Sequence, residues 1–140
     1  MVINLYRMRM LGRTMEKLVW RMKQEESRAA RMTASLTGMP RVHGNHSRVE
    51  EGAIRITDLK DAYRETMKEL EEMRNALDPL IGTLEDADER AVMRLRYIDG
   101  YDAEQIADAV FRTDRMIYYI LSRAEKKLAR LYPDQVREGR

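Results

Sequence analysis

The chain contains no cysteine, which excludes disulfide staples and thiolate metal sites. Proline occurs three times and glycine seven times in 140 residues, so few forced breaks interrupt regular structure. Aromatic residues make up only 6% against 36% charged, a balance that suits long solvated helices better than a thick globular core. Long apolar runs are missing too. The opening MVINLYRMRMLGR places Arg7, Arg9 and Arg13 within its first thirteen positions, so it reads as neither a signal peptide nor a membrane span, and the expectation is a soluble intracellular protein. No phosphate-cradling glycine loop is present, and carboxylates are spread along helix faces. These features predict no catalytic constellation, no cofactor and no enzyme. His43 and His46 stand three apart in HGNH without further ligands nearby in sequence, which fits a solvated loop rather than a metal site.

What is present is an uneven distribution of charge. The net value is +2, yet residues 1–33 hold eight basic and three acidic side chains, and residues 82–110 hold three basic and eight acidic. Residues 48–81 are moderately acidic, whereas 111–131 carry six basic and two acidic groups. Two basic zones are thus separated by acidic helices, and local basic zones matter more for nucleic acid than the overall balance.

Two heptad seams organise the first 81 residues. Met8, Met15, Met22 and Ala29 recur every seven positions, as do Leu11, Leu18, Glu25 and Met32, with Glu25 interrupting the apolar run. In the second seam Val49, Ile56, Tyr63, Leu70, Leu77 and Leu84 recur with Leu59, Met73 and Leu80 between them. A 3-4 seam is the pattern by which one helix packs along another. Asp78-Pro79 and Gly82 predict a kink or an end to the second helix. Between the seams, SLTGMPRVHGNHS reads as a loop, spanning about residues 34–48, that lets the helices fold back as an antiparallel hairpin. Two helices bury only a strip, so the hairpin is expected to dimerise or to dock on its own C-terminal domain. Met8, Leu11, Met15, Leu18 and Met22, with Ile56, Leu59, Tyr63, Leu70, Met73 and Leu77, are the candidate oligomerisation residues of a homodimer. The basic first helix, with Arg7, Arg9, Arg13, Lys17, Arg21 and Lys23, reads first as a solvated flank facing the acidic second helix.

The last third predicts three helices. Asp86 followed by Glu89 fits a capping box that starts a helix through Tyr97, closed by Asp99-Gly100. Asp102 with Gln105 repeats the pattern for a short helix to about Val110, and Thr113 caps a longer one to about Leu131, ended by Pro133. A short helix, a three-residue turn and a longer helix form the helix-turn-helix arrangement. The expected organisation is a hairpin over 1–81, a helix-turn-helix domain over 82–132 and a tail over 133–140, in an all-α fold.

Residues 84–131, LEDADERAVMRLRYIDGYDAEQIADAVFRTDRMIYYILSRAEKKLARL, resemble region 4 of sigma-70-family transcription factors. The shared features are the acidic start, Arg90, Leu95-Arg96-Tyr97, Gly100, Glu104, Ile106-Ala107 and the closing Arg123-Ala124 with Lys126-Lys127-Leu128. The long first helix, then SLTGMPRVHGNHSRVEEGAIRITDLKD, then a second helix before that domain, resemble small phage-encoded proteins grouped with ArpU- and RinA-type regulators of late transcription. The resemblance implies that Ile106, Ala107, Val110, Ile117, Ile120, Ala124 and Leu128 form the core of the motif. It further implies that Thr113, Asp114, Arg115, Tyr118, Tyr119 and Ser122 face double-stranded DNA, with Arg123, Lys126 and Lys127 near backbone phosphate. The implied setting is the cytoplasm of a bacterial host cell.

Four positions depart from that pattern. Phe111 stands where glycine or asparagine tolerates a left-handed backbone, which costs a bulky residue about 1–2 kcal/mol unless the turn is re-routed. Arg112 replaces an apolar plug, and Tyr118 and Tyr119 replace polar readers. A re-routed turn, with Phe111 buried against the hairpin, is the expectation. Sequence-specific DNA binding, with Arg115 as the base reader, is the leading expectation for function. One alternative is a protein-binding adaptor contacting RNA polymerase or another regulator through Tyr118-Tyr119-Ile120-Leu121. Another is a DNA-packaging subunit of small-terminase type.

Overall fold

A computed structural model of the chain describes residues 1–36 and 44–139, with side chains described outside 33–47. Among the described residues the fold is all-α apart from one pair of two-residue strands. Strand β1 (Ile3–Asn4) leads into helix α1 (Leu5–Leu36), and α2 (Gly44–Ile81) follows. Helix α3 (Ala87–Met93) continues into a π-helical turn (Arg94–Ile98), then come α4 (Ala103–Val110), α5 (Asp114–Leu131) and β2 (Val136–Arg137). Among the described residues no helix is long and apolar enough to cross a membrane.

Contacts divide the chain into two compact units, Met1–Gly12 with Glu69–Arg140, and Arg13–Lys68. In the second unit α1 and α2 run antiparallel. Arg55 Nε donates to Glu25 Oε2 at 3.2 Å, and Arg28 approaches the same carboxylate at 3.7 Å. Glu25, the polar interruption of the first seam, is thereby held between two guanidinium groups. Leu18 is buried, and Met15, Met22, Ile56, Leu59 and Tyr63 are half-buried. Trp20, beside the seam, is 63% exposed.

The loop expected over 34–48 is shorter than its composition suggested. Helix α1 runs to Leu36 and α2 already starts at Gly44, because glycine and asparagine are tolerated in the first turn of a helix, where amide partners are missing anyway. Residues 37–43, His43 among them, lie outside the described residues, as does the His46 side chain. Pro79 sits inside α2 instead of ending it at Asp78. Termination comes one turn later, where the Gly82 amide reaches Asp78 O at 3.1 Å and Thr83 Oγ1 donates to Leu80 O at 2.6 Å.

In the first unit, the first turns of α1 and the last turns of α2 share one core with the C-terminal helices. Met8 and Leu11 from α1, and Leu70, Met73, Leu77 and Ile81 from α2, are buried together with Met93, Tyr97, Ile106, Ile117 and Leu128. Six of the residues assigned to oligomerisation are therefore covered within a single chain: Met8, Leu11, Leu70, Met73 and Leu77 here, and Leu18 in the other unit. The tail folds back onto the start of the chain through residues 136–138. Val136 and Arg137 pair in parallel with Ile3 and Asn4, and Ile3 and Val136 are each 1% exposed. Gly139, at φ +111°, lets the chain pass so close to Tyr6 that an added Cβ would lie 2.1 Å from the Tyr6 Cβ.

Candidate functional site

Three side-chain caps set the C-terminal helices. Asp86 Oδ1 accepts from the amides of Asp88 and Glu89 at 2.8 and 3.3 Å. These two bonds stabilise the carboxylate and hold its pKa below the usual range. Asp102 and Gln105 form a reciprocal capping box at 2.8 and 2.9 Å, and Thr113 Oγ1 accepts from the Met116 amide at 3.2 Å. The expected Asp86–Glu89 box is only half realised. Asp86 caps, but Glu89 turns inward, is 2% exposed and accepts from Lys127 Nζ at 2.8 Å.

That buried carboxylate changes the reading of the basic end of α5. Arg123 Nε also lies 3.1 Å from Glu89 Oε1. A carboxylate taken out of water costs several kcal/mol unless paired, so α3 recruits two cations that sequence reasoning had aimed at phosphate. Arg112 is engaged as well, through Asp88 Oδ2 at 2.9 Å. The signal available in sequence was thin: Glu89 stands in an acidic run whose other members are mostly exposed.

The turn is not re-routed. Phe111 adopts the left-handed conformation outright, at φ 58° and ψ 46°, and is the only non-glycine residue with positive φ among the described residues. The Arg112 amide closes the helix end on Ala107 O at 3.0 Å, the bond pattern by which a left-handed residue ends a helix. Nor is Phe111 buried, since its exposure is 94%. The backbone cost of a bulky left-handed residue was the reason for expecting a re-routed turn, with burial of the ring beside it. Without any contact to gain, the helix-ending hydrogen bonds decide the backbone, and the ring is left in water.

Helix α5 has two well-separated faces. Ile117, Ile120, Leu121, Ala124 and Leu128 are buried, while Asp114, Arg115, Tyr118, Tyr119, Ser122 and Lys126 are exposed. Ile106 and Ala107 of α4 join the inward side, and Val110 is half-buried. Thr113 is exposed apart from its capping bond. The face that the resemblance assigned to DNA is thus brought to one surface, except that Arg123 and Lys127 bend back to Glu89.

Behind α5 the π-helical turn aims Tyr97 at a second polar cluster. Its hydroxyl donates to Glu125 in a very short hydrogen bond and accepts from Arg9 Nη1 at 2.6 Å. Burial raises the Glu125 pKa, and burial together with the Glu125 charge pushes the Tyr97 phenol well above its usual value. Arg9 therefore binds α1 to this core, while Arg7 pairs with Glu69 at 2.8 Å. Arg7 is thus the expected solvated flank facing the acidic second helix, whereas Arg9, also expected there, turns into the core. Among the described residues no cluster of three His, Cys, Asp or Glu side chains could hold a metal ion.

The chain matches a protein family described as protein of unknown function (DUF1492) over residues 38–129, about two thirds of its length, and belongs to that family. No curated protein and no solved structure matches it.

Proposed function

We propose that this DUF1492 protein is a double-stranded DNA-binding regulator of phage transcription that presents α5 to the major groove. The observation carrying this reading is the division of α5. Its inward face is fully packed, and the outward stripe of Arg115, Tyr118, Tyr119, Ser122 and Lys126 is exposed among the described residues. The preceding α4 and a three-residue turn, capped by Thr113, present that stripe as a helix-turn-helix recognition helix is presented. Arg115, Lys126 and Arg130 carry no ion pair among the described residues, so they supply the electrostatic contact. With three phosphates neutralised, log affinity falls against log salt with a slope of about −3. A homodimer would space two such helices by whole turns of DNA.

Binding to promoter fragments from the gene's own neighbourhood, followed across a salt series, tests the reading. Arg115→Ala and Lys126→Ala weaken binding if it holds. Absence of salt-sensitive binding to every fragment would sink it. A protein-binding adaptor, with RNA polymerase as the candidate partner, is favoured by one feature, the fully exposed Phe111. An adaptor keeps its partner when Arg115 and Lys126 are replaced and loses it on Phe111→Ala.

A further inference from the structure

Arg115, Tyr118, Tyr119 and Ser122 follow one another at i, i+3, i+4 and i+7, so they share one face of α5. Tyr118 is 64% exposed and Tyr119 61%. Neither ring is a core residue pushed outward, because Ile117, Ile120, Leu121, Ala124 and Leu128 already fill the inward side. The polar supply around the rings is reduced at the same time. Arg112 is held by Asp88, and Arg123 and Lys127 by Glu89. Along this stripe a bound duplex meets one guanidinium and two aromatic rings.

The four bases offer those rings unequal partners. In the major groove guanine, adenine and cytosine present only hydrogen-bonding edges, whereas thymine adds an apolar C5-methyl group. A ring placed over a polar edge strips water from donors and acceptors and returns no hydrogen bond. Placed against a methyl group, it removes apolar surface from water on both sides. Resting on the DNA-binding reading above, we infer that α5 selects thymine through its methyl group, with Tyr118 and Tyr119 as the apolar contacts and Arg115 as the cationic anchor beside them.

The test uses two duplexes of about 30 base pairs, roughly three helical turns, one of alternating adenine and thymine and one with deoxyuridine in place of every thymine. The substitution removes the methyl groups and keeps every hydrogen-bonding edge. The intact protein binds the thymine duplex about tenfold more tightly than the deoxyuridine duplex. A protein carrying both Tyr118→Ala and Tyr119→Ala binds the two alike, and one carrying both Tyr→Phe changes still discriminates, since the ring and not the hydroxyl meets the methyl. Equal affinity of the intact protein for both duplexes overturns the inference while leaving DNA binding in place. Loss of discrimination in the double Phe variant overturns it too, by moving the contact to the hydroxyls. Failure to bind either duplex at low salt, or any promoter fragment, removes the DNA-binding reading itself.

Discussion

Replacing Phe111 is expected to stabilise the protein, an unusual outcome for an aromatic residue. A left-handed backbone costs an ordinary side chain about 1–2 kcal/mol. Normally a buried ring would return more than that through removal of apolar surface from water. Here the ring is 94% exposed, so it returns almost nothing and the backbone cost stands alone. Asparagine tolerates the left-handed region, and Phe111→Asn should raise stability by about 1 kcal/mol. Phe111→Gly relieves the same strain but adds freedom to the unfolded chain worth about 0.5–1 kcal/mol, so its gain should be smaller. Urea unfolding followed by circular dichroism measures both, with a higher midpoint at an unchanged m-value marking a true stability change. In thermal scans the Asn variant should melt a few degrees higher, about 2–8 °C for chains of this size range. A loss of about 1 kcal/mol or more in both variants would refute the reasoning, because it would require the ring to pack against something in the folded protein. The same pair of variants bears on function, since a strained residue left in water at a surface turn is retained at a cost.

Three further outcomes follow from particular contacts. Glu89→Gln should cost about 2 kcal/mol in urea unfolding, less than the roughly 3–5 kcal/mol for breaking a fully buried pair, because Arg123 and Lys127 are 50% and 30% exposed and turn to water; a change below about 0.5 kcal/mol would mean that the pairs contribute nothing. Glu125 has a folded-state pKa raised above its unfolded value by burial, so its contribution is present below the unfolded pKa and lost as pH rises through the folded one. Glu125→Gln should therefore gain relative to the unaltered protein as pH rises above the ordinary carboxylate value of about 4, and a difference that stays constant as pH rises from there would contradict the assignment. Gly139→Ala puts a Cβ 2.1 Å from the Tyr6 Cβ and 2.7 Å from Asn4 Oδ1 at a φ suited to glycine. It should peel β2 from β1 and accelerate hydrogen exchange of the Ile3 amide, which now reaches Gln135 O at 2.7 Å; unchanged protection there would show that the terminus accommodates a side chain.

The local chemistry of this chain was legible in its residues. Asp86, Asp102 and Thr113 act as caps because a short oxygen-bearing side chain next to unpaired amides needs no tertiary partner to favour that geometry. The heptad spacing placed Met8, Leu11, Leu70, Met73 and Leu77 on buried faces, since periodicity reports which side of a helix is apolar. Periodicity does not say what covers the face, which is why dimerisation and docking on the C-terminal domain stood side by side for a seam that is covered in part by the chain's own C-terminal helices. The two faces of α5 were legible for the same reason as the seams. The fate of its cations was not, because spacing along one helix carries no information about a carboxylate on another.

Sequence by itself determined the helical class, the caps, the short helix, turn and long helix, and which stripe of α5 stays apolar. Each of these depends on interactions reaching no more than about four residues along the chain. Tertiary structure alone decided that Glu89 goes inside and takes Arg123 and Lys127 with it. It also decided that Arg9 joins Tyr97 and Glu125, and that residues 136–137 pair with residues 3–4. Those outcomes rest on desolvation and on partners 28 to 133 positions apart. Their energies exist only once the helices have met.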